Sequence, residues 1–111
     1  MSVYHLYQSV FGKWDKEVFK EIHHEEFLFI RETELLTLDE HVEVMDNLLT
    51  TTDFGKEQNK NMVLIHANEY VEEYRWRDNE DIVTAVFLLK NGKTWRQIVN
   101  RVPAKERLSV L

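Results

Sequence analysis

The chain has no cysteine, one proline and three glycines in 111 residues. Without cysteine there is no disulfide framework and no thiolate chemistry, and nothing demands an oxidising compartment. Apolar runs are only a few residues long, far short of the roughly 20 needed to cross a bilayer. The opening MSVYHLYQSV lacks a basic segment and a continuous apolar stretch, so it does not read as a secretory leader. A basic excess is also missing. Fourteen Lys and Arg face twenty Asp and Glu, for a net charge of −6. Nucleic-acid binders normally carry the opposite balance, so the aromatic-basic stretches YRWR and KNGKTWRQIVNR are not assigned to nucleic acid. What is present, 43% hydrophobic and 31% charged residues, describes a soluble globular chain. The expectation is one cytoplasmic domain over residues 1–111, with no cofactor.

The few breakers punctuate a clear pattern. Val3, Leu6, Tyr7, Val10, Phe11 and Trp14 recur by threes and fours, one face of a helix that ends near Gly12. Asp15 is placed to cap a second, shorter helix carrying Val18, Phe19 and Ile22. From Phe27 the period changes, and FLFI followed by Leu35-Leu36 predicts a short hairpin turning near Glu32 to Glu34. Thr37 and Glu40 fit a capping box, opening a helix with Leu38, Val42, Met45, Leu48 and Leu49 on one side. Residues 50–61, TTTDFGKEQNKN, have little periodicity and read as a loop, with a frayed strand at most at its start. Strands are expected at Met62 to Ala67, Tyr70 to Arg77, Ile82 to Lys90 and Thr94 to Val102, with Pro103 as a stop.

Asn91-Gly92 is the strongest hairpin signal in the chain. Pairing Lys90 with Lys93 places Leu88 opposite Trp95 and Val86 opposite Gln97. On the other face it places Phe87 opposite Arg96, Ala85 opposite Ile98 and Val83 opposite Asn100. Both faces are then largely apolar, so both should be covered, one by the chain's helices and the other most economically by a second copy. The fold class is α+β: N-terminal helices packed on a curved, mostly antiparallel sheet.

Several stretches resemble the nuclear transport factor 2-like superfamily. KWDKEVFKEIHHEEFLFI is similar to its turn, Trp-Asp, helix and strand sequence; RETELLTLDEHVEVM to its short hairpin and capped third helix; VFLLKNGKTWRQIVNRVP to the closing hairpin of its SnoaL-like and uncharacterised bacterial branches. The resemblance spans nearly the whole chain. It implies a cystatin-like cone, usually dimeric, often with an internal pocket. Members include isomerases, dehydratases, cyclases and association domains, so fold does not dictate function. The ketosteroid isomerase pattern calls for a base aspartate at an early strand, and Phe27 to Arg31 has none. Tyr7 matches the place of that group's hydrogen-bonding tyrosine. The bacterial branch often carries a His-Gln pair late in the last strand, where Asn100 and Arg101 stand here.

His23, His24, Glu25 and Glu26 invite a metal or a catalytic dyad. Adjacent histidines diverge by about 100° in a helix and face opposite sides in a strand, so they mark a helix end and no metal site is assigned. Tyr7, Trp14, Phe27 and Phe29 either line a ligand pocket or pack as core, with Tyr4, Phe11 and Phe19 in the same position. His66, Tyr74, Arg96 and Asn100 are polar groups on strands that read as buried. They either contact a ligand or pair structurally, for instance Arg96 with Glu72 or Glu73. Two functions follow. One is a dimeric module that binds a small apolar or anionic ligand, or simply associates. The other is a cofactor-independent isomerase, dehydratase or cyclase, with His66 or Tyr7 moving protons and Arg96 or Asn100 stabilising an oxyanion. The second requires His66, Tyr7 and Arg96 to converge on one cavity.

Overall fold

The computed structural model describes residues 3–104. Helices α1 (Val3–Gly12) and α2 (Lys16–Glu21) lead into β1 (His23–Arg31) and β2 (Glu34–Thr37). Helices α3 (Leu38–Thr51) and α4 (Phe54–Asn61) follow, and β3 (Val63–Ala67), β4 (Val71–Asp78), β5 (Asp81–Lys90) and β6 (Lys93–Pro103) complete the order. The strands form one sheet, β2-β1-β6-β5-β4-β3, antiparallel throughout except for the parallel β1–β6 pair. Three register shifts, in the β1–β6, β3–β4 and β5–β6 pairs, bend it. The helices pack on its concave face.

Local chemistry explains most boundaries. Asp15 Oδ1 accepts from the Glu17 and Val18 N–H groups at the start of α2. Thr37 and Glu40 form the reciprocal capping box of α3. Asn91 (φ 54°) and Gly92 (φ 76°) take the left-handed turn that joins β5 to β6. The core gathers Val3, Tyr7, Val10 and Phe11 of α1 with Phe19, Phe27, Phe29, Tyr74, Val83 and Phe87.

Three expectations are corrected. Residues 50–61 are not a loop with a frayed strand: α3 runs through Thr51 and α4 fills Phe54–Asn61. Its sequence is too polar to announce an apolar face, and Gly55 disguises it as a breaker. That glycine is needed because a Cβ there would lie 2.9 Å from Leu49 Cδ2 and 3.1 Å from the Phe11 carbonyl oxygen. Second, β1 begins at His23, not Phe27. Third, the last hairpin starts in the expected register, Lys90 opposite Lys93, but bulges at Trp95. Beyond it Leu88 faces Arg96, Phe87 faces Gln97, Ala85 faces Val99 and Val83 faces Arg101. One extra residue turns every later side chain over. Arg96 and Asn100 therefore belong to the outer face, and Gln97 to the concave one.

Candidate functional site

The concave face carries two buried polar groupings. The first joins α1, α2, β1 and β6. His23 Nδ1 lies 2.7 Å from the Phe19 carbonyl oxygen, which can only accept, so Nδ1 holds the ring proton. Burial pushes the His23 pKa down to about 4, leaving Nε2 bare. Tyr7 Oη is 2.7 Å from Nε2 and donates to it. With that proton committed, the Thr94 hydroxyl 3.1 Å away donates to the Tyr7 oxygen. Burial raises the Tyr7 pKa, so the proton stays on the phenol and the chain of bonds is neutral. Beside it Glu72, 2% exposed, accepts from the Val3 and Tyr4 N–H groups at 3.0 and 2.8 Å and from the Tyr74 hydroxyl at 2.7 Å. A carboxylate at the first turn of α1 meets both unpaired N–H groups and the positive end of the helix dipole.

The second grouping lines a cavity of about 430 Å³ between α3, α4 and the sheet. Its walls are mainly apolar: Phe11, Phe29, Leu36, Met45, Leu48, Val83, Phe87 and Val99 all contribute. Besides Tyr7, Tyr74 and Trp76, three uncharged polar side chains interrupt them. Gln97 stands on the sheet floor between Phe29 and Phe87, its neighbours in register on β1 and β5. His41 reaches in from α3 and stacks on Phe29, ring centroids 4.5 Å apart and 17° from parallel. Gln58 comes from α4, with only the Met62 sulfur, 3.6 Å from Nε2, near its amide. They are 9%, 3% and 8% exposed, respectively. Among the described residues, Gln97 Oε1, His41 Nδ1 and Gln58 Oε1 have no hydrogen-bond partner. Asn59 Oδ1 and Arg75 Nε are likewise unpartnered, but neither residue lines the cavity. Burial, with His23 nearby, holds the His41 pKa down to about 3, so its imidazole is neutral. The rim is charged and self-paired: Arg31 with Glu34 at 2.8 Å, and Arg101 with Asp78 at 3.1 Å and Asp81 at 3.2 Å.

The residues singled out from sequence are divided by this arrangement. Tyr7, Phe29 and Tyr74 line the cavity. Phe27 lies behind its wall, packed between His23 and His41. Trp14 stands at the α2–α3 side, its indole N–H donating to Asp46 at 2.8 Å. His66 is exposed on edge strand β3, next to Asn68. Arg96 stacks over Trp95 at 4.1 Å and donates to the Glu26 carbonyl on the outer side. Asn100 is exposed there too. The convergence of His66, Tyr7 and Arg96 is not what the fold delivers. Among the described residues, no group of three or more His, Asp or Glu is placed to hold a metal, and no helix is long and apolar enough to cross a membrane. His41 and Gln97 escaped the sequence reading. His41 falls three residues after Leu38 and four before Met45, on the apolar face of α3, and that spacing is the signal that finds it.

No protein-family model matches the sequence, and no curated protein matches it. Solved structures do. An NTF2-like protein of unknown function from Cytophaga hutchinsonii matches with TM-score 0.56 at 10% identity, covering 92% of this chain and 88% of its own. A bacterial protein with a cystatin-like fold from Silicibacter pomeroyi gives 0.56 at 14%, over 91% and 74%. A ketosteroid isomerase-like fold from Catenulispora acidiphila, in complex with trimethylamine, gives 0.52 at 2%, over 87% and 82%. At such identities the likeness is one of architecture, and the architecture is plain: this chain has the nuclear transport factor 2-like, cystatin-like α+β fold.

Proposed function

We propose that the protein is a small-ligand-binding module that takes an apolar molecule into the cavity of the cone. The observation that supports this is the cavity itself: about 430 Å³, walled by aliphatic and aromatic side chains, with a few polar groups inside. Those are the size and chemistry of small-molecule sites. An anionic ligand fits less well. The His41 imidazole is neutral, and both rim arginines are already held by carboxylates. The isomerase, dehydratase or cyclase reading lacks support from position, because His66 and Arg96 lie away from the cavity. Titration with the neutral apolar dye Nile red tests the reading. Dye fluorescence should saturate with the wild-type chain and be lost in Val44→Trp, which plugs the mouth from an α3 position 53% exposed. Unchanged binding in that variant would place the dye elsewhere.

The module is also proposed to act as a homodimer through the outer sheet face. Leu35, Ile30, Ile98 and Val86 stand side by side in register across β2, β1, β6 and β5 on that face. All are partly or fully exposed, Leu35 at 56%. A contiguous apolar row on a sheet commonly marks an interface. Sedimentation should give a dimer at micromolar concentration and a monomer for Ile98→Glu. A stable wild-type monomer removes the idea. Cytoplasmic location belongs to the same proposal, resting on the absence of cysteine and on the charge-rich composition.

A further inference from the structure

We infer that the cavity selects a neutral, mainly apolar molecule bearing one hydroxyl or amide group, held by Gln97 and His41, each able to donate to it and accept from it. This rests on the cavity being a ligand site. It adds what kind of ligand the site is built for.

Gln97 occupies the middle of an aromatic floor, where leucine or methionine would pack with no polar atom to satisfy. A buried amide without a partner costs about 1–3 kcal/mol. His41 lies against Phe29, the strand neighbour of Gln97, so both polar groups flank one ring. Gln58 faces the same space from α4. Each is at least nine-tenths buried and has an atom without a partner among the described residues. In the grouping around Tyr7 and Glu72, by contrast, side chains of similar burial are fully bonded. Of the five buried atoms without a partner among the described residues, three therefore lie on the walls of this one cavity.

The chemistry of those groups limits what can fill them. A carboxamide presents an acceptor oxygen and a donor nitrogen, and a neutral imidazole presents one of each. A hydroxyl or amide, which donates and accepts together, satisfies such a set. A carboxylate only accepts, and would bring its charge against the Gln97 and Gln58 oxygens, while among the described residues the lining cations, Arg31 and Arg101, are paired at the rim. An ammonium only donates, and the lining carboxylates, Glu34 and Asp78, are at the rim and already paired with Arg31 and Arg101. The low pKa of His41 keeps the histidine uncharged at neutral pH, which favours an uncharged ligand.

Four probes on one ring system separate the possibilities: naphthalene, naphthol, methoxynaphthalene and naphthoate, titrated into the full chain near neutral pH and followed by calorimetry and amide NMR shifts. Naphthol should bind about tenfold more tightly than naphthalene or methoxynaphthalene, the equivalent of one satisfied buried hydrogen bond. Naphthoate should bind worst. Gln97→Met should reduce naphthol to the affinity of naphthalene while leaving naphthalene unaffected, and His41→Phe should reduce the same preference independently. Equal affinities for naphthalene and naphthol, or a preference for naphthoate, overturn the inference and leave the cavity reading standing. Failure of all four probes to bind overturns the cavity reading, and the inference with it.

Discussion

Two buried polar clusters share the concave face, and they are neighbours. Phe19 packs against His23 at 4.6 Å and against His41 at 5.7 Å; Phe27 touches the same two rings at 4.6 and 5.3 Å. Each cluster holds one neutral histidine pushed far below its ordinary pKa. They differ in completeness. Around Tyr7, His23, Thr94 and Glu72 the donors meet acceptors, and the proton positions follow from a single backbone carbonyl. Around Gln97, His41 and Gln58 each side chain keeps one buried atom without a partner among the described residues. The difference teaches that burial alone does not locate a site. Tyr7, Glu72 and His23 look catalytic in isolation, yet their bonding is spent on holding α1 and α2 against the sheet. Three of the five unpartnered buried atoms among the described residues are in the cavity.

Acid should produce the largest effect, and it acts on both clusters. Above about pH 6.5 neither the folded nor the unfolded chain protonates these histidines, so they contribute no pH dependence. Below it the unfolded chain takes up protons that the folded chain refuses until about pH 4 at His23 and about pH 3 at His41. Stability should therefore fall as pH drops, with a slope approaching about 1.4 kcal/mol per pH unit for each histidine. Urea midpoints measured from neutral pH to pH 4.5 should show it, and His41→Phe should roughly halve the slope. A flat profile would mean that both rings are solvated, and half the slope that one of them is.

Next in size is Glu72→Leu, which strands the Val3 and Tyr4 N–H groups and the Tyr74 hydroxyl. The expected loss is about 3 kcal/mol, read from denaturation at neutral pH. Tyr7→Phe should cost about 2 kcal/mol, since it leaves His23 Nε2 and the Thr94 hydroxyl without a partner in a closed interior. His41→Phe keeps the stacking on Phe29 and removes the unpartnered Nδ1, so at neutral pH it should be neutral or stabilising by up to about 1 kcal/mol. Equal losses from Tyr7→Phe and His41→Phe would erase the distinction between the clusters.

Much of this architecture is legible in the chain. The apolar spacing from Val3 to Phe11, the caps at Asp15 and Thr37, and Asn91-Gly92 each carry local chemistry, and each appears where that chemistry places it. Helix α4 is not legible because its stability is tertiary: a polar octet holds its helix by bringing the Gly55 backbone against Phe11. The bulge at Trp95 is hidden for a related reason. Nothing in KTWRQ marks the extra residue, and passing over it exchanges Arg96 for Gln97 on the inner face. Tyr7 and Phe29 are legible because aromatic residues at helix or strand spacing point inward whichever role they play, and Tyr74 because it is a polar group on a strand that reads as buried.

The most direct measurement is the neutral-pH urea stability of Gln97→Met in the ligand-free chain. The substitution keeps length and shape and removes an amide that has no partner for its oxygen. If the cavity holds bonding capacity reserved for a ligand, the variant should be more stable than wild type by about 1 kcal/mol, with an unchanged denaturant slope. A loss of about 1 kcal/mol or more would show that the amide is already satisfied in the free protein, and would contradict the account.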